Sequence, residues 1–246
     1  MTGLKNRLLL RQLRDRNDHC LMCFRLLGAY YKNDMDTFDI SVKRFNEFAS
    51  EYAERFMNID SYRVHFDRFC ALTKKERPKI LELACGPGNV TDYLKQQFQE
   101  AEILAIDLAP RMIDIAKRNV SGVDFRVMDV REISSLNTRF DAIMCSFCLP
   151  FLSKSDTYQL ISDCSDSLVN NGILYLSTMK GDESKAGFET TSFSGDSKVY
   201  FNYHKQLDLE NALMDNKFKI DYNLRQDYRE KNGDITTDLI MIGEKE

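Results

Sequence analysis

The sequence predicts an α/β fold that is doubly wound around a mostly parallel, seven-stranded sheet. From Pro78 onward, short apolar runs alternate with segments of helical periodicity. The apolar runs are nearly continuous, as is typical of strands that are buried on both faces of a parallel sheet. The last two runs are separated by a turn signal, Lys-Asn-Gly-Asp at residues 231–234, so we expect the sheet to end in an antiparallel strand pair.

The predicted elements follow one another in a regular order after Pro78. The first five strands are ILELA, EILAID, DFRVMD, FDAIMC and ILYLST, and the helices between them are VTDYLKQQFQE, PRMIDIAKRNV and SDTYQLISDCSDSLV. The segment Gly181 to Lys198 is rich in Gly, Ser, Thr and Asp, which predicts a long loop. A helix near Leu207 to Asn216 and the strands FKIDYNL and TTDLIMIGE complete the pattern.

The residues before Pro78 differ from the rest of the chain. Residues 1–34 contain seven Lys/Arg and three Asp, a net charge of +4, and we interpret them as an extension of unknown role. Residues 35–77 carry aromatic side chains at spacings of three and four residues, which predicts a helical cover. Residues 78–246 then form the α/β domain that binds the ligand.

Composition narrows the class of protein. The chain has 246 residues, 43% of them apolar, which is enough for an ordinary buried core. Its net charge of −4 gives no electrostatic reason to expect nucleic acid as a partner. The longest mostly apolar run, Ala142 to Leu152, is too short to span a membrane as a helix. We expect a protein without a membrane partner.

The cysteines suit a reducing compartment. There are seven, an odd number that fits free thiols better than a disulfide framework, so we expect a cytoplasmic protein. Cys20/Cys23 and Cys145/Cys148 have the spacing of zinc ligands, but neither pair has a histidine cluster nearby. No metal is expected.

The stretch LELACGPGNV, residues 81–90, joins the first strand to the first helix of the domain and has the layout of a ligand-binding turn. A dinucleotide needs G-x-G-x-x-G, but the third glycine is absent here and Pro87 removes one amide donor. The negative charge of Glu82 also disfavours a pyrophosphate. The turn therefore favours a ligand that has a cationic amino group and no phosphate.

Three acidic residues lie at or near the carboxyl ends of successive predicted strands, where doubly wound sheets bind their ligands. Glu82 lies within the first strand, Asp107 closes the second and Asp129 closes the third. A carboxylate in a buried strand needs a donor or a cation, and Asp107 suits the two hydroxyls of a ribose. Other roles remain open: Asp107 and Asp129 could cap the segments that follow them, and Tyr52 could be one more member of the aromatic stripe.

These motifs resemble those of the seven-stranded (class I) S-adenosylmethionine (SAM) dependent methyltransferases, whose Rossmann-like domain carries the motif acidic-x-G-x-G-x-G. Residues 82–88 are Glu-Leu-Ala-Cys-Gly-Pro-Gly, so Ala84 replaces the first glycine. The resemblance covers roughly residues 38–245 and implies SAM as the cofactor. It implies cofactor contacts from Tyr52, Glu82, Ala84, Gly86, Gly88, Asp107, Leu108, Met112, Asp129 and Val130.

The resemblance also implies a role for each of these groups. Glu82 and the Gly86–Gly88 turn hold the methionine part of SAM, and Asp107 binds the ribose hydroxyls. Tyr52 reaches the site from a helix laid over the cofactor. Leu108 and Met112 lie against the adenine ring, and Val130 supplies a backbone contact. The carboxylate of Asp129 accepts from the adenine amino group.

The implied activity is the transfer of a methyl group from SAM to an acceptor that the sequence does not identify. Family members that methylate amino groups of nucleic-acid bases carry (Asp/Asn)-Pro-Pro-aromatic after the fourth strand, whereas this chain has CSFCLPFL. We therefore expect a small-molecule acceptor. The catalytic base is unknown: His204 is the one histidine placed where a base could enter the cleft, and a packing role is its favoured interpretation.

Two other functions remain open. An NAD(P)-dependent oxidoreductase is disfavoured because the third glycine is missing and because no tyrosine is followed by a lysine four residues later. A protein that binds SAM without catalysis has every motif described above, so only turnover distinguishes it from an enzyme.

Overall fold

The computed structural model describes residues 37–191, 193–229 and 235–246. The 1–34 extension, Cys20/Cys23 and the turn predicted at 231–234 lie outside these residues. In the part of the chain that the structure describes, no helix has both the length and the apolar character that crossing a membrane requires.

Nine strands are present in the described residues. They are β1 (Lys79–Leu83), β2 (Glu102–Asp107), β3 (Asp124–Val127), β4 (Phe140–Ser146), β5 (Leu168–Met179), β6 (Gly187–Thr190), β7 (Lys198–Phe201), β8 (Phe218–Arg229) and β9 (Ile235–Lys245). Seven of them form one sheet in the order β3-β2-β1-β4-β5-β9-β8, and β6 and β7 form a separate pair.

The main sheet is doubly wound. Strands β1 to β5 pair in parallel, whereas β9 runs antiparallel to both β5 and β8. The order reverses between β1 and β4, and this switch point is where such sheets open a crevice at their carboxyl ends. The predicted fold class, a mostly parallel seven-stranded sheet with an antiparallel last pair, is confirmed.

Helices cover both faces of the sheet. They are α1 (Thr37–Glu47), α2 (Ala49–Phe56), α3 (Arg63–Leu72), α4 (Asn89–Gln97), α5 (Pro110–Asn119), α6 (Lys154–Ser167) and α7 (Gln206–Asp215). Alternate residues of each strand face opposite cores. Leu81 and Leu83 of β1 pack on the side of α6 and α7, and Ile80 packs on the side of α3, α4 and α5.

Residues 35–77 were predicted to form a helical cover. The structure describes this segment from Thr37, and its helices α1, α2 and α3 do not lie in one layer. Helices α1 and α2 pack over α5, where Ala49 meets Met112 and Ile115. Helix α3 instead buries Phe66 and Phe69 in the core beneath the sheet. Its two buried aromatic rings make α3 part of the helical layer of the sheet, and the cover proper consists of α1 and α2.

The segment 181–198, predicted as a long loop, contains regular structure. It begins with a 3₁₀ helix, Glu183–Lys185, and continues into the β6–β7 hairpin, in which Phe188 pairs with Tyr200. The prediction of an irregular loop is wrong because a two-stranded hairpin needs little apolar surface. Phe188 is 44% exposed. The hairpin is attached to α1 because the Ser41 hydroxyl bonds both the C=O and the N–H of Tyr200, each at 3.2 Å.

Candidate functional site

The site is built on the turn that follows β1. Ala84, Gly86 and Gly88 all have positive φ, at 52°, 54° and 86°. Glycine adopts such angles without strain, whereas any side chain clashes with the neighbouring carbonyl. The replacement of a motif glycine by Ala84 therefore has a conformational cost, besides the small difference in volume that the sequence shows.

Gly88 also brings two helices together. It precedes α4, and a Cβ at this position would lie 3.3 Å from the Cα of Ala116 on α5. Two side-chain amides also hold the turn. That of Asn89 donates to the Phe56 carbonyl at 2.8 Å, and that of Asn119 donates to the Pro87 carbonyl at 2.9 Å. These contacts fix the turn against α2 and α5.

Glu82 is a buried carboxyl with unmet bonding capacity. It is 2% exposed, pairs with Ala105 of β2 and Met144 of β4 in the sheet, and shares its face with the α3–α5 core. Among the described residues, no hydrogen-bond partner reaches its Oε2 atom or the nearby Thr91 hydroxyl. Burial raises the pKa of Glu82 to about 8, and the charge of Asp107 adds to the rise. An unpaired buried carboxyl next to the turn is a position for a cationic group.

Asp107 ties the turn to the second strand. Its Oδ2 accepts from the Gly86 N–H at 2.9 Å, and its Oδ1 accepts from the Ala109 N–H at 2.8 Å. Burial raises the pKa of Asp107, and these two hydrogen bonds oppose the rise. Each carboxylate oxygen can accept a second bond. The capping role and a role in binding hydroxyls are therefore compatible, since Asp107 also lines the cleft.

The cleft lies above the switch point and encloses about 670 Å³, including the space open to solvent at its mouth. Seven of the ten predicted cofactor residues line it. They are Tyr52, Ala84, Gly86, Asp107, Leu108, Met112 and Val130. Glu82 and Gly88 lie in the supporting turn and strand.

Asp129, like Glu82 and Gly88, is a predicted cofactor residue that does not line the cleft. Its carboxylate accepts from the backbone N–H of Arg131 at 2.9 Å and from the guanidinium at 2.6–3.1 Å. It thereby caps the 3₁₀ helix Val130–Leu136. The Arg131 guanidinium lies 3.9 Å from the centre of the Phe38 ring. Capping, the alternative role, is what the contacts of Asp129 show, and its contact with adenine stays a prediction.

Tyr52 belongs both to the aromatic stripe and to the cleft. Its ring centre lies 5.5 Å from that of Phe45, 4.6 Å from that of Phe56 and 5.1 Å from that of Phe193. Burial, together with the charge of Asp107, raises the pKa of Tyr52 to about 12. The phenol therefore stays protonated at neutral pH and is available as a donor.

Several residues at the cleft were not among the predicted cofactor contacts. Phe38, Val42 and Phe45 come from α1, and their spacing of four and three residues is the signal that they share one face. Phe147 and Phe151 come from the CSFCLPFL segment after β4, and Phe147 has a strained φ of 53°. No local pattern marks Phe193, which reaches Phe45 and Tyr52 from the turn of the β6–β7 hairpin.

The two histidines that the structure describes, His65 and His204, do not line the cleft. His204 is buried, its Nε2 bonds the Leu149 carbonyl at 2.9 Å, and burial lowers its pKa. It faces a second, polar cavity whose charges pair with one another, Lys154 with Asp208 at 2.7 Å and Lys205 with Asp182 at 2.6 Å. The packing interpretation of His204 fits this placement.

His65 bonds Tyr222 and Gln226 at 2.9 and 2.6 Å. Among the described residues, no three His, Cys, Asp or Glu side chains come close enough to hold a metal ion.

Known proteins resemble this chain in sequence and in fold. Residues 80–172 match the family model described as a methyltransferase domain. The structure is similar to magnesium protoporphyrin IX methyltransferase from Synechocystis PCC 6803 with bound SAM, at a TM-score of 0.64 and 15% identity, covering 87% of this chain and 100% of that one. It is also similar to the PH0226 protein of Pyrococcus horikoshii OT3, at a TM-score of 0.60 and 19% identity, covering 80% and 99%. These likenesses show the fold.

Sequence relatives cover less of the chain. It is 35% identical over 143 residues to malonyl-[acyl-carrier protein] O-methyltransferase of Bacillus anthracis, covering 55% of this chain and 51% of that protein. It is 31% identical over 98 residues to demethylmenaquinone methyltransferase of Thermotoga maritima, covering 40% and 42%. The chain spans about half the length of these curated relatives. Their names therefore state the substrates of those proteins and do not identify the substrate of this chain.

The fold and the matched segment define the class of protein. Residues 80–172 match the methyltransferase-domain model, and the described chain has the fold of a solved SAM-bound methyltransferase. The matched segment contains β2 to β4, all but the first residue of β1, the glycine turn and all three acidic positions.

Replacing Glu82 with Gln should stabilise the protein increasingly as pH rises from about 5 to 8. The pKa of Glu82 is higher in the folded state than its ordinary 4.5, so its stabilising contribution is complete below about pH 4.5 and is lost as pH rises towards 8. Gln does not ionise. In urea unfolding, the free-energy difference between variant and parent should grow by about 1–4 kcal/mol over this range.

The control for that variant is Glu102→Gln, at the exposed start of β2, where the side chain is 80% exposed. Its unfolding free energy should stay within ~0.5 kcal/mol of the parent at each pH. A Glu82→Gln difference that is constant with pH contradicts the raised pKa.

Replacing Ala84 with Gly should stabilise the protein by about 0.5–1 kcal/mol, because the positive φ of Ala84 strains any residue that has a Cβ. The matched control is Ala71→Gly, an exposed helical position on α3, where the same change should destabilise by about 0.5–1 kcal/mol. Thermal unfolding of both variants tests the sign. Destabilisation by both changes would show that Ala84 is not strained.

Proposed function

We propose that this protein transfers a methyl group from SAM to a small-molecule acceptor. The observation that carries the proposal is the unpaired Oε2 atom of Glu82, buried beside a turn with positive φ at Ala84, Gly86 and Gly88. A carboxyl in this position suits an ammonium group, and SAM carries one on its methionine part. Asp107, bound to the same turn, suits the ribose.

The residues present fit the rest of the cofactor as well. Leu108, Met112 and Val130 give the cleft an apolar end that suits the adenine ring. The turn donates few free amides, since the Gly86 N–H is used by Asp107 and Pro87 has none. A pyrophosphate would find neither donors nor a favourable charge here, so the geometry supports SAM over NAD(P).

Methyl transfer requires mainly that the protein position the two reactants and exclude water from them. SAM, when bound, supplies a methyl group on a sulfonium, and the reaction displaces it in line. The chain holds the ligand by Glu82 and Asp107 and closes the cleft with Phe45, Tyr52 and Phe193. Fixing two reactants in a near-attack geometry can supply ~7–11 kcal/mol of the barrier, and aromatic faces near the sulfonium add roughly 0.5–2 kcal/mol.

The relatives support a small-molecule acceptor without naming it. One of them acts on a malonyl group held by an acyl carrier protein and another on demethylmenaquinone. A SAM-binding protein without catalysis has the same cofactor site, and turnover with candidate acceptors distinguishes it from an enzyme. The expectations that nucleic acid is not a partner and that the protein is cytoplasmic stay predictions.

Calorimetric titration should show micromolar binding of SAM and of its demethylated product S-adenosylhomocysteine, and no binding of NAD. Glu82→Gln and Asp107→Asn should each weaken SAM binding by about 10–100-fold, since each removes a charged partner. Asp114→Asn, an exposed carboxylate on α5, is the control and should bind like the parent. Binding of NAD with none of the sulfur ligands would overturn the proposal, and thermal unfolding of each variant checks that it is folded.

SAM binding at pH 7 should release roughly one proton from Glu82. With a pKa of about 8 this carboxyl is mostly protonated in the free protein, and an adjacent ammonium favours its ionised form. Titrations in buffers of different ionisation enthalpy measure the release. In Glu82→Gln the release should disappear; an unchanged release would place the proton on another group.

A further inference from the structure

Phe38, in the first turn of α1, is an aromatic side chain at the end of the cleft that suits adenine. It lines the cleft together with Leu108, Met112 and Val130, the three residues that give this end its apolar character. Its ring also packs against the core cluster that contains Val130. Phe38 is therefore placed to contact a base bound between these side chains.

The guanidinium of Arg131 holds the Phe38 ring. It lies over the ring at 3.9 Å from the ring centre, well inside the distance of about 6 Å at which a cation is attracted to an aromatic face. A guanidinium is planar, so it stacks on a ring as well as attracting it. The contact joins the first turn of α1 to the 3₁₀ helix Val130–Leu136. One face of the Phe38 ring is thereby covered by Arg131, while the ring also lines the cleft.

Asp129 fixes the orientation of this guanidinium. Its Oδ2 accepts from Nε and Nη2 of Arg131 at 3.0 and 2.6 Å, and its Oδ1 accepts from Nε and the backbone N–H at 3.1 and 2.9 Å. Asp129 is only 14% exposed, so solvent screens this pair less than one at the surface. The four contacts take up the roughly four positions at which a carboxylate accepts hydrogen bonds. To accept from the adenine amino group as well, Asp129 would have to release Arg131.

Other contacts hold the middle and the end of α1 over the cleft. Ser41 bonds the backbone of the β6–β7 hairpin at 3.2 Å, and the Asn46 side chain accepts from the backbone N–H of Arg111 on α5 at 2.9 Å. The contact between Phe38 and Arg131 acts on the first turn of the same helix. The position of the Phe38 ring in the cleft therefore depends on Arg131 and, through it, on Asp129.

We infer that Arg131 is a positioning residue of the cofactor site: held by Asp129, it fixes the Phe38 ring against the adenine, and the protein recognises the face of the base. This inference rests on the proposed binding of SAM. It replaces the bond between the adenine amino group and Asp129 that the family resemblance implies. Nucleobases stack on aromatic side chains whichever groups their edges carry, so the amino group contributes little to affinity here.

An analogue of S-adenosylhomocysteine in which hydrogen replaces the 6-amino group tests how the base is recognised, because it keeps the ring nitrogens and the stacking face. In calorimetric titration it should bind within about threefold of S-adenosylhomocysteine, whereas losing a hydrogen bond to a charged acceptor ordinarily lowers affinity about 10–100-fold. A larger loss than threefold would overturn the inference. If S-adenosylhomocysteine itself does not bind, the proposed function has failed instead.

Combined substitutions test whether Asp129 and Arg131 act through the ring. Phe38→Leu, Arg131→Gln and Asp129→Asn should each weaken S-adenosylhomocysteine binding by about fivefold or more. Once Phe38→Leu is present, neither of the other two should weaken binding further, because residues that act as one unit are not additive. Additive losses for Asp129→Asn and Phe38→Leu would show that Asp129 contacts the adenine directly and would overturn the inference, as would unchanged binding by Arg131→Gln.

The matched control is Arg126→Gln. Arg126 pairs with Asp124 at the same spacing of two residues, but the pair is exposed on β3. This variant should bind S-adenosylhomocysteine like the parent, and thermal unfolding of every variant checks that it is folded. An equal loss of binding in a folded Arg126→Gln variant would show that the effect of Arg131→Gln is one of net charge alone, which contradicts a positioning role.

A fluorescence measurement locates the base relative to the ring. The chain has no tryptophan, so Phe38→Trp makes this ring the one tryptophan and keeps an aromatic face for stacking. The variant should bind S-adenosylhomocysteine within about threefold of the parent, and its emission should change on binding. Phe188→Trp, at a position 44% exposed on the hairpin, should show no change. Constant emission from Phe38→Trp at saturation would show that the adenine does not reach this ring and would overturn the inference.

Discussion

The carboxylate of Asp107 is the contact on which the site depends. It accepts from the Gly86 N–H on one side and the Ala109 N–H on the other, so a single side chain joins the turn after β1 to the start of α5. These two segments flank the crevice next to the switch point of the sheet. The turn has three positive φ angles, and within it the Gly88 N–H donates to the Cys85 carbonyl at 3.0 Å. The bond from the Gly86 N–H to Asp107 further holds this strained turn in the shape that lines the cleft.

The same region carries a cost in stability. Glu82 is buried without a partner for Oε2, and its raised pKa means that the folded state holds a proton that the unfolded chain would release. Ala84 adds backbone strain where the family motif has glycine. Neither feature helps the chain to fold. Both lie within contact range of the cleft, as expected where local rules are broken at a functional site.

The sheet was predictable from the sequence because each buried strand is a run of apolar residues. The turn after β1 was predictable because glycines mark it. The capping role of Asp129 was among the roles that the sequence left open, and Arg131, two residues later, bonds both of its carboxylate oxygens. Partners across long sequence separations were not predictable in the same way. His65 bonds Tyr222 and Gln226, more than 150 residues away. The β6–β7 hairpin was missed because its polar composition is also that of a loop.

The cover of the cleft connects these parts. Phe193 of the hairpin packs on Phe45 of α1 and Tyr52 of α2, so chain segments about 140 residues apart close the same space. Burial beneath this cover raises the pKa of both Glu82 and Asp107. The same burial lowers the local dielectric constant, and a lower dielectric constant strengthens the attraction between a carboxylate and a cationic group. The raised pKa values of the two carboxyls and the preference for a cationic ligand that we propose therefore have one physical origin, the burial of Glu82 and Asp107.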